Sequence, residues 1–243
     1  MKRKVMTMMM AVNPKMANEA DLCIFDDIGE YEDFDGTHGV GPKMISEFLA
    51  ENTGVDTINV QINSNGGNVF DGISILNLLK SSGKKVNVEI IGLAASIASV
   101  IAMAGHVKMH PTSQMMIHNC CTLAFGNAND FRKLADDMDK IMESSKIAYL
   151  EKAGDKLSKE KLQELLDGET YLTAQECFEY GLCDEIIGKE EPKADMEVEQ
   201  KATLEPKEKI EPLATEEQEA EEKAEVENQP SIEPIQNDVN WFF

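Results

Sequence analysis

Between Val86 and Gly105 a strand pattern passes into a buried-helix pattern with only a few residues between them. Val86-Asn87-Val88-Glu89-Ile90-Ile91 alternates apolar and polar side chains, the period of a strand with one buried face. Ala98-Ser99-Val100-Ile101-Ala102-Met103-Ala104-Gly105 is small and apolar and closes on a glycine, as a buried helix does. Ser96 sits where the one gives way to the other. The same succession repeats along the chain. Residues 22–25 read as a strand, 42–51 as a helix, 57–63 as a strand, 69–80 as a helix, and 107–109 and 115–118 as further strands. Strands and helices that alternate through short connections specify an α/β domain.

A long helix is expected from near Asn127 to Gly154, marked by Phe131, Leu134, Met138, Ile141, Ser145 and Tyr149. Helices average ~11–12 residues, so one of this length is expected to project and to meet a neighbouring subunit. Two shorter helices follow, one capped by Ser158 and ending at Gly168, the other opened by the capping box Thr173-Ala174-Gln175-Glu176 and ending at Gly181. Residues 1–20 read as a flexible leader. From Gly188 to Phe243 the chain carries 17 acidic and 6 basic residues, few apolar ones and five prolines. That composition cannot bury enough surface to offset chain entropy, so 188–243 is expected to be an acidic disordered tail. The tail carries the aromatic stretch Val239-Asn240-Trp241-Phe242-Phe243, which suits docking into a pocket.

Charge and cysteine usage exclude several function classes. A net charge of −22 repels phosphates, which argues against a nucleic-acid partner. Five cysteines without CxxC spacing fit neither a disulfide framework nor a zinc site, and point to a reducing cytoplasm. The basic start and its apolar run of about eight residues lack a cleavage site, so no signal peptide is read. No stretch reaches the ~18 apolar residues of a membrane span.

Ser96, at a strand-to-helix transition, suits a nucleophile if a base lies within reach. His118 stands 22 residues on, at the end of the next-but-one strand. Each alone also reads as an ordinary packing or hydrogen-bonded residue. The turn Asn63-Ser64-Asn65-Gly66-Gly67 adds a third element, since flexible glycines between a strand and a helix can aim a backbone N–H at the same region. His106 and His110 straddle a strand without an evident carboxylate and read as structural. Cys120 and Cys121 lack a feature that would lower a thiol pKa. Residues 122–127 offer an edge for pairing with an extended peptide.

Four ordered motifs carry a resemblance. Ile62-Asn63-Ser64-Asn65-Gly66-Gly67, Gly92-Leu93-Ala94-Ala95-Ser96, Met116-Ile117-His118-Asn119 and the stretch from Leu172 to Asp184 together resemble the Clp protease proteolytic subunit (ClpP) family over residues 21–187. Val69-Phe70-Asp71-Gly72, the Ala98 to Gly105 segment and Gly168-Glu169-Thr170-Tyr171-Leu172-Thr173-Ala174 are similar to the phage branch, the ClpP-related head maturation (prohead) proteases. The resemblance implies an α/β fold of the ClpP/crotonase type, a spiral of β-β-α units, with the long helix protruding between rings of a homo-oligomer. It implies a serine endopeptidase with Ser96 as nucleophile, His118 as base, and the N–H groups of Gly67 and Ile97 as oxyanion hole, needing neither metal nor cofactor. The expected substrates are capsid or scaffold proteins during virion assembly.

The chain departs from the family at two places. Asn65 stands where proline is usual. Asp167-Gly168-Glu169-Thr170-Tyr171 replaces an Arg-Asp-aromatic pattern, so the third catalytic residue is Asp167 after a two-residue shift or Glu169 without one; the shorter side chain favours Asp167. Rival readings are a housekeeping ClpP working with an AAA+ ATPase, a crotonase-like acyl-CoA enzyme, and a non-catalytic capsid scaffold.

Overall fold

The computed structural model describes residues 18–31 and 38–188, and the backbone of 11–12 and 241–242. Its framework is a sheet of eight strands. β1 (Ala11–Val12) pairs antiparallel with β2 (Glu19–Ile24). From β2 the sheet runs in parallel through β3 (Thr57–Ser64), β4 (Lys85–Ala95) and β5 (His106–Met109). Two further strands, β6 (Gln114–Ile117) and β8 (Thr170–Thr173), leave this path, and β9 (Glu185–Ile186) closes it beside β5. β7 (Cys121–Thr122) stands outside this sheet and pairs with β10 (Trp241–Phe242).

Strict alternation sets the core. Leu22 and Ile24, Ile58, Val60 and Ile62, and Val86, Val88 and Ile90 all point to one buried face. The opposite face carries Asn59, Gln61, Asn87 and Glu89, which bond across β3 and β4, for example Gln61 Nε2 donating to Glu89 Oε2 at 3.1 Å. The apolar face is covered by α1 (Pro42–Glu51), through Ile45 and Phe48, and by α2 (Val69–Ser81), through Val69, Ile75, Leu76 and Leu79. α3 (Ile97–Ala102) is buried at every residue. It lies close against α2 because Gly72 has no side chain there: a Cβ on Gly72 would stand 2.1 Å from Ile97 Cγ1.

The expected long helix is α4 (Ala128–Ala153), opened by a capping box in which Asn127 and Asp130 bond each other's backbone. Its buried residues are Met142, Ser145, Ala148, Tyr149 and Ala153, with Met138 and Ile141 partly buried beside them, so the helix packs on the core mainly through its second half. α5 (Lys159–Asp167) is capped by the Ser158 hydroxyl and ends at Gly168. α6 (Ala174–Glu179) opens on the Thr173–Glu176 capping box, and Gly181 follows at φ +73°. The start of α1 at Pro42, of α2 at Val69 and of β3 at Thr57 agree with the sequence patterns.

Other boundaries shift. β1 and the first residues of β2 fall within the stretch expected as leader, where a two-residue strand has no periodicity to read. β4 continues past Ile91 through Gly92 to Ala95, and β8 occupies a segment read as a helix end and loop. Of the expected tail, 189–240 and 243 lie outside the described residues.

Candidate active site

The site forms where β4 changes partner. Its first half pairs with β5, from Asn87 opposite His106 to Ile90 opposite Met109. Its last residues pair with β6 instead, Leu93 with Gln114, Ala94 with Met115 and Ala95 with Met116. Between these halves the β3–β4 register shifts, and the Asn63 side chain fills the irregularity by accepting from Leu93 N–H at 3.1 Å. Gly92 is required there, since a Cβ would stand 2.4 Å from Asn63 Oδ1.

Ser96 follows directly. Its N–H donates to the Met116 carbonyl at 2.8 Å, which locks it to the end of β6. Its backbone is at φ 57°, ψ −130°, a conformation that a residue with a Cβ adopts only when its surroundings enforce it. The parallel register makes the 22-residue separation meaningful: Ala95 lies beside Met116, so Ser96 and His118 emerge together from adjacent strand ends. Ser96 Oγ and His118 Nε2 are 2.8 Å apart, and Ser96 is 4% exposed. Burial holds the His118 pKa below its ordinary value, and the negative charge of Glu169 offsets part of that. A neutral imidazole at neutral pH is the form that accepts a hydroxyl proton.

The glycine loop packs against Ser96 from the other side. Gly66 is at φ +104°, and a Cβ on it would meet Ser96 Cβ at 2.7 Å and the Ala95 carbonyl at 2.9 Å. Gly67, at φ +146°, lies closer still to Ile28, whose carbonyl oxygen would stand 2.2 Å from a Cβ there. The loop is pinned to the segment after β2: Ile28 N–H donates to Gly66 O, Asn68 N–H to Ile28 O, and Ser64 Oγ to Asp26 O, each at 2.7 Å. Asn65 is exposed, so its replacement of proline touches nothing in this packing. Ile97 opens α3, and its N–H therefore has no acceptor within the helix.

The two candidate carboxylates occupy different places. β8 runs antiparallel to β6 with Ile117 opposite Thr170, so one further step sets His118 against Glu169. Glu169 is also one of two described non-glycine residues with positive φ, at 46°. Asp167, favoured in the sequence reading, accepts from Asn119 Nδ2 at 2.8 Å and from Gln163 Nε2 at 2.7 Å, both through Oδ1. It ties the residue after His118 to α5.

A layer under Ser96 was not legible in the sequence. Ser99 Oγ donates to the Ser96 carbonyl at 2.5 Å and lies 2.6 Å from the hydroxyl of Tyr149, which is 2% exposed. Burial raises the Tyr149 pKa far above the phenol range, so the phenol stays protonated. The second half of α4 thereby supports the strained turn.

The remaining candidates lie elsewhere. His110 Nε2 is 2.8 Å from Glu89 Oε1, and His106 lies 3.5 Å from Asp184. The carboxylates beside these histidines, Glu89 and Asp184, come from other parts of the chain. Cys120 is buried and its thiol pKa is raised by that burial, which keeps it protonated. Among the described residues no three His, Cys, Asp or Glu side chains gather as metal ligands, and no helix is long and apolar enough to cross a membrane.

The sheet thus brings a serine in a strained backbone conformation to a histidine just past the end of the neighbouring strand. The family model described as Clp protease matches residues 38–190, so the chain belongs to the Clp protease family and is a serine-type endopeptidase. It is 29% identical over 165 residues to the ATP-dependent Clp protease proteolytic subunit 2 of Parasynechococcus marenigrum (strain WH8102), covering 67% of this chain and 82% of the relative. The ATP-dependent Clp protease proteolytic subunit 1 of Prochlorococcus marinus subsp. pastoris matches with the same identity and coverage.

Proposed function

We propose that Ser96 is the nucleophile of this endopeptidase, His118 its general base and Glu169 the carboxylate that orients the imidazole. The 2.8 Å approach of Ser96 Oγ to His118 Nε2 carries the reading. His118 takes the hydroxyl proton as Oγ attacks the scissile carbonyl. The resulting oxyanion is held by the N–H groups of Gly67 and Ile97. Glu169 stabilises the imidazolium, which then protonates the leaving amine. Water, activated by the same histidine, releases the acyl group from Ser96. Asp167 positions Asn119 beside the base.

The substrates we propose are capsid or scaffold proteins processed during phage head maturation, in the host cytoplasm, by a homo-oligomeric ring. The phage-like wording at 69–72, 98–105 and 168–174 supports this. A second reading, a peptidase ring fed by an AAA+ ATPase, is favoured by the names of the two relatives, both subunits of ATP-dependent proteases. Intact mass after treatment with a fluorophosphonate tests the chemistry. One adduct on the wild type and none on Ser96→Ala is expected; an adduct that persists in Ser96→Ala refutes the assignment. Maturation of proheads by wild type but not Ser96→Ala, without added ATPase, separates the two biological readings.

A further inference from the structure

Ser64 is a buried serine next to the site that takes no part in the chemistry. It ends β3 opposite Ala94, two residues before Ser96, and is 5% exposed. A hydroxyl at that depth needs partners, and this one has two. It donates to the Asp26 carbonyl at 2.7 Å and accepts the Gly66 N–H at 3.2 Å. Asn65, which lies between Ser64 and Gly66, is exposed, and its side chain bonds to none of the described residues. The turn is therefore held by the Ser64 hydroxyl and not by the residue at its tip.

What this hold leaves over is the N–H of Gly67. The Gly66 N–H is taken by Ser64, the Gly66 carbonyl by Ile28 N–H, and the Asn68 N–H by the Ile28 carbonyl. The Gly66 carbonyl and the Gly67 N–H belong to one trans peptide and point in opposite directions. With the carbonyl on Ile28, the Gly67 N–H is turned away from Ile28, and among the described residues it has no acceptor. The same loop lies against the other candidate donor: a Cβ on Gly66 would stand 3.2 Å from Ile97 N. The anchor is itself firm, since Val40 N–H donates to the Asp27 carbonyl at 2.9 Å and the Val40 carbonyl accepts Gly29 N–H at 3.1 Å. Two adjacent glycines supply no stiffness of their own, so the aim of the Gly67 N–H depends on bonds to the peptides on either side of Gly66.

We infer that Ser64 is a positioning residue for the oxyanion hole: its hydroxyl holds the Asn65–Gly66 peptide so that the Gly67 N–H is aimed at the developing oxyanion. The inference rests on the serine-peptidase reading above, in which Gly67 is one of the two donors. A donor already in place when the charge develops costs no reorganisation at that moment. A donor on a loose glycine loop has to be ordered during the reaction, and that cost falls on the transition state and not on substrate binding. Loss of the hydroxyl therefore lowers kcat and leaves KM almost unchanged. It also leaves the titration of His118 in place, because the hydroxyl bonds only to Asp26 and Gly66.

The test compares the full-length wild type with Ser64→Ala and with the pair Ser64→Thr and Ser64→Val. Threonine and valine have the same shape and only threonine keeps a hydroxyl, so their difference separates the bond from packing even if the alanine variant fails to assemble. The readouts are kcat and KM for a fluorogenic peptide, the acid limb of the rate profile, and the affinity of a peptide aldehyde, whose hemiacetal with Ser96 sets an oxygen in the oxyanion position. In Ser64→Ala and Ser64→Val we expect kcat to fall ~10–100-fold with KM changed by less than about 2-fold. Aldehyde affinity should fall in parallel with kcat, the acid limb should stay where it is, and Ser64→Thr should keep most of the wild-type rate. Equal rates in Ser64→Thr and Ser64→Val, a Ser64→Ala rate within about 3-fold of wild type, or a loss carried by KM overturns the inference. A displaced acid limb overturns it in favour of an action through His118. A wild type that takes no fluorophosphonate on Ser96 overturns the peptidase reading and this inference with it, whereas a labelled wild type with unaffected variants overturns the inference alone.

Discussion

Replacing Glu169 by glutamine and, separately, Asp167 by asparagine distinguishes the two carboxylates by their effect on His118. Glu169 stands opposite His118 when the β6–β8 ladder is continued, and its charge raises the histidine pKa against the lowering effect of burial. Interaction with an ionised partner is worth about 1.5–3 kcal/mol. At 1.36 kcal/mol per decade, its loss from the transition state lowers kcat by ~10–150-fold. The sign in pH follows. Without the carboxylate the imidazolium is less stabilised and the His118 pKa falls further. The acid limb of the rate profile therefore moves to lower pH while the plateau drops.

Asp167→Asn should behave differently. Asn119 and Gln163 both donate to the single oxygen Oδ1, and the amide oxygen of asparagine can still accept both, though as weaker uncharged bonds. The effect expected of such an exposed exchange is within about 0.5 kcal/mol, roughly a factor of two in rate. The assay is steady-state hydrolysis of a fluorogenic peptide from mildly acid to alkaline pH, with both variants checked for equal oligomeric state. If Asp167→Asn is the more damaging change, or if Glu169→Gln leaves the acid limb in place, the register argument for Glu169 is wrong.

Two further outcomes are expected. Gly66→Ala sets a Cβ against Ser96 and the Ala95 carbonyl at a positive φ; a destabilisation of about 1–3 kcal/mol and a ~100-fold loss of peptide hydrolysis from misplacement of Ser96 should appear in thermal melting and turnover. Tyr149→Phe removes the hydroxyl that meets Ser99; about 1 kcal/mol, or ~2–4 °C in Tm for a chain of this size, should be lost, with kcat reduced more than KM is raised.

The parts of the fold legible in the sequence are those with a local cause. The Pro42, Asn68, Ser158 and Thr173 helix starts rest on a ring or side chain within four residues of the groups they serve. The buried faces of β3 and β4 rest on alternation within one strand. Ser96 and His118 stood out because each closes an apolar run that local pattern detects. β8 did not stand out: four residues, Thr170 to Thr173, with one buried member, carry too little periodicity to separate strand from loop. Local pattern separates Asp167 from Glu169 only by side-chain length, whereas the β6–β8 ladder separates them by register.

The sequence by itself determined an alternating α/β chain, the elements that end at Ser96 and His118, and the glycine turn between β3 and α2. Each of these depends on interactions within one turn of helix or one strand. Only the tertiary structure decided which strand ends meet, that β4 leaves β5 for β6 midway, that Glu169 rather than Asp167 lies opposite His118, and that Tyr149 of α4 braces the turn through Ser99. Those outcomes depend on register between segments 20 to 55 residues apart. Pairing energy between such segments comes from burial and main-chain bonds that exist only once the chain has closed on itself, so no local pattern encodes them.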